Sequence, residues 1–211
     1  MRTTSPLLLA GLAAALTLCA LPALAQSQGD WTIGIGAHQV NPKSDNGTLA
    51  GGTLPLRIDS NIRPTVTFEY FVHQDLGVEV LAALPFEHDI SVKGVGKVGS
   101  TKHLPPVVSL QYHFNSAGKV SPFVGAGLNY TTFFSEKTTG ALAGSKLKLD
   151  DSWGLAAHAG VDIALTDKSA LRVDMRWIDI DSKVKVKVNG SDLGTAHIDP
   201  LVYGLAYVMK F

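Results

Sequence analysis

The chain has 211 residues, of which 17% are charged, with 18 basic against 18 acidic side chains and a formal net charge of zero. Soluble domains carry about 25% charge and nucleic-acid binders present a basic field, so neither class fits and no nucleic-acid partner is expected. The single cysteine, Cys19, lies in an N-terminal apolar segment, which leaves the rest of the chain without disulfides or thiol chemistry.

Arg2 precedes an apolar run from Leu7 to Leu21, and Ala23-Leu-Ala25 stands just before Gln26. A basic start, a short apolar core and a small-x-small site describe a secretory signal peptide, so residues 1–25 are expected to be cleaved and residues 26–211 to form the mature domain. Leu18 before Cys19 is too large for a lipoprotein signal. Beyond Gln26 no apolar run is long enough for a spanning helix, so any crossing of a membrane falls to strands.

Alternating segments follow at Trp31–Val40, Thr65–Val72, Gly77–Leu84 and Val107–Phe114, then at Pro122–Phe134, Trp153–Leu165, Ala170–Asp181 and Leu201–Phe211. The connections alternate in length. His73–Leu76, Asn115–Lys119 and Thr166–Ser169 are short, whereas Asn41–Pro64, Pro85–Pro106, Ser135–Ser152 and Ser182–Pro200 are long and rich in Gly, Ser, Thr and Lys. Short periplasmic turns opposite long outer loops are the layout of an outer-membrane barrel. In the last long connection, Lys183–Val188 alternates lysine with valine before Asn189-Gly190, a hairpin signal, and reads as a solvated ribbon extending past the membrane.

The last strand is the most telling. Leu201, Tyr203, Leu205, Tyr207, Met209 and the terminal Phe211 share one face, and Val202, Gly204, Ala206, Val208 and Lys210 share the other. In the sixth, Trp153, Leu155, Ala157, Ala159, Val161, Ile163 and Leu165 oppose Gly154, Ala156, His158, Gly160, Asp162 and Ala164. Strand side chains alternate with period two. The second set is too small and polar for the core of a soluble barrel, but suits a narrow lumen with lipid outside. The expected fold is all-β: an eight-stranded antiparallel up-and-down transmembrane β-barrel in the outer membrane, in contact with membrane lipid. Phe211, as a terminal aromatic, is also the expected signal for the outer-membrane assembly machinery.

No catalytic or metal-binding constellation stands out, so no enzyme activity, cofactor or metal is expected. The 7 histidines form no H-x-x-x-H or Cys/His cluster. His158 and Asp162 share a strand face, as do Ser109 and His113, but four residues along a strand separate side chains by about 13 Å. No G-x-S-x-G is present, and Gly125-Ala-Gly127 lacks a third glycine. By the same parity Glu69, Glu79, Gln111, His113, Asp162, Arg172, Asp174 and Arg176 point inward. Buried carboxylates beside arginines usually make structural ion pairs, and Glu69, Glu79, Arg172 and Arg176 are the expected polar plug. Pro85 ends the third strand, and Pro105-Pro106 begin the fourth. Proline gives no N–H to a ladder, so these residues either terminate strands at a loop or leave the wall poorly zipped, as a side opening would require.

The motifs Gly77–Phe86 (GVEVLAALPF), His103-Leu-Pro-Pro106, Pro122–Phe134, Asp151-Ser-Trp-Gly154, Gly160-Val-Asp162 and Asp179-Ile-Asp181 resemble the outer membrane protein W family, with its alkane-importing relatives, over nearly all of the mature chain. The resemblance implies passage of small hydrophobic molecules through a narrow apolar lumen, with sideways exit into the membrane above a polar plug. On this sequence the pathway falls to Leu81, Pro85, Phe86, Leu104, Pro105 and Pro106. Arg176 departs from a wholly apolar lining and makes room for amphipathic or anionic solutes. The alternative is a structural or receptor barrel with a sealed lumen and loop-based binding.

Overall fold

The computed structural model describes residues 26–187 and 192–211, so the expected signal peptide, residues 1–25, and the Asn189-Gly190 turn lie outside the described residues. In chain order the strands are β1 (Trp31–Asn41), β2 (Thr48–Leu49), β3 (Leu54–Ile58), β4 (Asn61–His73), β5 (Leu76–Ala83), β6 (Phe86–Val92), β7 (Gly96–Leu104) and β8 (Val107–His113). There follow β9 (Val120–Thr138), β10 (Lys146–Leu149), β11 (Ser152–Thr166), β12 (Ser169–Ile178), β13 (Asp181–Lys187), β14 (Asp192–His197) and β15 (Leu201–Lys210), with a 3-10 turn at Gly140–Leu142.

Antiparallel pairing runs β1–β4–β5–β8–β9–β11–β12–β15 and returns to β1, closing a barrel of 8 strands. Closure leaves no unpaired edge facing lipid. The register of the closing seam, Thr32↔Lys210 to Asn41↔Leu201, puts Phe211 against Trp31, and the two rings stack with centroids 4.4 Å apart. At the opposite rim Tyr130 lies 4.7 Å from Trp153. Aromatic rings at both ends of an apolar band mark the two membrane interfaces.

The faces follow the alternation. Ile35, Phe68, Val80, Leu110, Leu155, Met175 and Leu205 stand exposed on the outer wall, while Thr67, Glu69, Glu79, Gln111, His158 and Arg172 are buried within. This inverted distribution, apolar outside and polar inside, is stable only with hydrocarbon as the outer solvent.

The long connections are not plain loops. β6 and β7 form a hairpin, β3 adds to β6, β2 adds to β3, and β7 pairs with the upper half of β9. A separate sheet of β10, β13 and β14 covers the other side. The expected seventh strand, Ala170–Asp181, is in fact broken: β12 ends at Ile178, and Asp181 already belongs to β13. Together these strands build a cap beyond the membrane. Its apolar residues, among them Leu56, Ile90, Leu149, Ile180 and Ile198, continue the cluster formed by Leu81, Val107, Ile178 and Val202 in the barrel's outer half.

Candidate functional site

Inside the barrel two layers are stacked, a charged one toward the short turns and an apolar one toward the cap. β4, β5, β11 and β12 each place an acid or a base on the inner face at matching height: Glu69 pairs in register with Glu79, and Arg172 with Asp162. Two carboxylates directly opposite repel unless cations sit between them. Arg172 supplies one, donating to both oxygens of Asp162 at 2.7 and 2.8 Å, to Glu79 at 2.8 Å and to Glu69 at 3.2 Å. Its guanidinium also lies 4.6 Å over the Phe123 ring. Arg176, two strand periods above, donates to Glu79 at 2.7 Å and to Asp174 at 2.8 Å.

Gln111 and three histidines complete the layer. Gln111 donates to Glu69 at 3.0 Å and contacts His158 at 2.8 Å, His113 lies 3.0 Å from Glu69, and His38 joins Thr65 to Asp174. The side chains of Glu69, Glu79, Arg172 and Arg176 are no more than 1% exposed. The four plug residues expected from parity are thus brought together in one network. Arg176 is turned toward carboxylates within this layer, so its charge is matched there. His38 and His158 also belong to the network. A search along single strands misses them because their partners Asp174 and Gln111 lie across the lumen, each with one strand of the barrel in between.

Above this layer the lining turns apolar. Leu81 and Phe86 are 5% and 2% exposed, Pro105 is buried, Pro85 and Leu104 are half-buried and Pro106 is exposed. They meet at a discontinuity in the wall. The β5–β8 ladder stops at Leu81↔Val107, and the β6–β7 ladder resumes only at Phe86↔His103. On either side the wall remains bonded, through Leu84 N–H to Pro64 at 3.1 Å and Tyr130 N–H to Pro106 at 3.2 Å. The Pro85 carbonyl accepts from Arg63 Nε at 3.0 Å. Over this point two apolar cavities lie in the cap. One, of about 20 Å³, is lined by Leu56, His88, Ile90, Thr101, His103 and Phe133 among others, and one of about 210 Å³ by residues including Leu49, Leu54, Leu56, Ile90, Val92 and Leu142.

Besides Thr101, His88 and His103 are the polar exceptions in this lining, with Nε2 atoms 3.0 Å apart. They stand on β6 and β7, beyond the proline breaks and outside the spanning strands. Burial, above all, lowers the pKa of both from the ordinary 6.5, His103 well below it. At the outer rim Asp181, His197 and Asp199 come close enough to share a cation. All three already have partners, His197 Nδ1 lying 2.5 Å from Asp181 and Asp199 2.6 Å from Lys43.

Residues 27–211 match the OmpW family model. The chain belongs to the OmpW family. It is 39% identical over 211 residues to outer membrane protein W of Vibrio cholerae, covering 95% of this chain and 97% of the relative. The crystal structure of OprG, an outer membrane protein of Pseudomonas aeruginosa, superposes with a TM-score of 0.79 at 33% identity, over 90% of this chain and 99% of that one. A more distant relative, 25% identical over 195 residues (87% of this chain and 90% of the relative), is a Pseudomonas aeruginosa protein named for a dibenzothiophene metabolism operon. As an OmpW-family member the chain is a transmembrane β-barrel of the Gram-negative outer membrane.

Proposed function

We propose that this OmpW-family barrel admits small hydrophobic molecules through the cap into the apolar layer and releases them sideways into the membrane. Leu81, Pro85, Phe86, Leu104, Pro105 and Pro106 form the exit, and Glu69, Glu79, Arg172 and Arg176 form the plug that turns the solute aside. The observation that carries this reading is the interrupted ladder between Leu81↔Val107 and Phe86↔His103, set where the apolar layer rests on the charged one. A hydrophobic solute gains about 0.8 kcal/mol per CH₂ on leaving water for hydrocarbon, so the protein need only shield it past the polar headgroups. The charged layer blocks the straight route, since an apolar solute entering it separates buried ion pairs and makes no hydrogen bond in return. The relative named for dibenzothiophene metabolism fits a hydrophobic solute class.

The test compares uptake of a small alkane by cells making the wild type, the double variant Pro85→Ala/Pro105→Ala, the variant Leu81→Asp, or no protein. Alanine supplies the N–H that proline lacks, which lets the wall zip. Uptake is expected to fall several-fold in the double variant at equal levels of folded protein. Leu81→Asp is expected to slow an apolar solute more than a polar one. Equal uptake in all four strains overturns the reading in favour of a sealed structural or receptor barrel.

A further inference from the structure

The pair His88–His103 fixes a hydrogen-bond direction inside an otherwise apolar lining. His88 Nδ1 faces the backbone carbonyl of Asp59, which only accepts, so Nδ1 carries the proton. In a neutral imidazole the other nitrogen is then an acceptor. His88 Nε2 therefore receives a hydrogen bond, and its partner at 3.0 Å, His103 Nε2, must donate it. That leaves His103 with a bare lone pair on Nδ1. This atom is buried and has no partner among the described residues, in a residue 1% exposed. The nearby Thr101 hydroxyl is directed instead to the Lys102 carbonyl at 3.3 Å. The His103 ring cannot readily turn away, for it stacks on Phe133 at 5.6 Å and 11° and meets Phe86 at 5.6 Å. Burial lowers the pKa of both rings and so favours their neutral forms.

A buried acceptor without a donor carries a desolvation penalty that a matching donor relieves. His103 lines the smaller cavity, whose 20 Å³ is about the room that one hydroxyl-sized group occupies. The larger cavity, 210 Å³, shares Leu56 and Ile90 with it and is lined by aliphatic side chains. The two together match a molecule with one O–H at the end of an apolar body.

We propose that the cap selects amphipathic solutes with a single hydroxyl, alkanols and phenols, through acceptance of the O–H by His103 Nδ1, with the apolar part in the adjoining cavity. His103 is the binding residue, and His88 is a positioning residue that sets its tautomer. The proposal rests on the conduit reading above and refines its solute class.

The test measures binding of hexanol, hexane and methyl pentyl ether to folded protein in lipid nanodiscs, for the wild type, His103→Phe and His88→Phe. The wild type is expected to favour the alcohol over the ether by about tenfold, because the ether only accepts and meets a second acceptor. His103→Phe should reduce that preference to within about twofold while hexane binding persists, since the mutated site retains its apolar walls. His88→Phe frees the tautomer and should weaken the alcohol-over-ether preference without abolishing alcohol binding. Nitrogen NMR of the ring gives a readout that needs no variant. Nδ1 should have the shift of an unprotonated nitrogen and move on adding hexanol but not hexane. A wild type that binds alcohol and ether equally, or an Nδ1 signal that hexanol leaves unmoved because a resident water already occupies it, overturns the proposal. Hexane uptake in the cell assay depends on the conduit alone, so loss of one result is distinguishable from loss of the other.

Discussion

Glu79 is the carboxylate on which the charged layer converges, and replacing it with leucine gives the sharpest test of that layer. It is fully buried and accepts from Arg172 at 2.8 Å and from Arg176 at 2.7 Å. Removing one partner of a buried ion pair costs about 3–5 kcal/mol, because the other charge stays behind without water. Here each arginine keeps another carboxylate, Asp162 and Glu69 for Arg172 and Asp174 for Arg176. That places the expected loss at the lower end, about 3 kcal/mol. Combining Glu79→Leu with Arg176→Leu withdraws one of the two cations that Glu79 balances, so the double variant should be less destabilised than the sum of the single ones. A surface control is at hand in Glu87, 3.8 Å from Lys102 with both side chains 40% exposed, where Glu87→Gln should cost no more than about 1 kcal/mol. Urea unfolding of the refolded barrel in detergent, followed by tryptophan fluorescence and by the mobility shift between folded and heated protein on gels, measures all of these. A Glu79→Leu barrel within about 1 kcal/mol of the wild type, or strict additivity in the double variant, would refute the idea that the layer is one coupled network.

Deleting Phe211 should lower the amount of folded barrel in the outer membrane, since its ring stacks on Trp31 and its N–H donates to the Trp31 carbonyl at 2.9 Å across the closing seam. Unchanged levels of heat-modifiable protein would remove both the seam argument and the proposed role in recognition by the assembly machinery. Purified protein in planar bilayers should show small or rare conductance, because the lumen of an eight-stranded barrel is nearly filled by side chains. A large, steady, ohmic current would contradict that.

Much of the barrel was legible in the sequence because a spanning strand must show lipid one face and the lumen the other, which imprints a period of two. That signal places Glu69, Glu79, Arg172 and Arg176 inward without knowledge of any partner. It fails in the cap. There the strands are short, as at Thr48–Leu49 and Lys146–Leu149, and several pair with elements distant in the chain, as β7 does with β9. Four buried positions in a row, Val98 to Thr101, show that both faces of β7 are covered and alternation is lost. The histidine pair was missed for a related reason. His88 and His103 are 15 residues apart in sequence and meet only diagonally across the β6–β7 hairpin, where Phe86 faces His103 and His88 faces Thr101. Two histidines flanking a glycine-rich turn, beside Phe86 and Pro105, were the available signal.

The charged layer also bears on how the barrel reaches one correct closure among near misses. Arg172, Asp174 and Arg176 alternate along β12, so sliding that strand by one residue against its neighbours would turn all three outward together. Each arginine moved into the midplane of the bilayer then costs about 2–4 kcal/mol, and Glu69 and Glu79, left on the other half of the wall, would face each other with no cation between them. A misaligned barrel is therefore penalised twice by the same few side chains. The network acts as a key that fits the seam between the N-terminal and C-terminal strands in a single alignment.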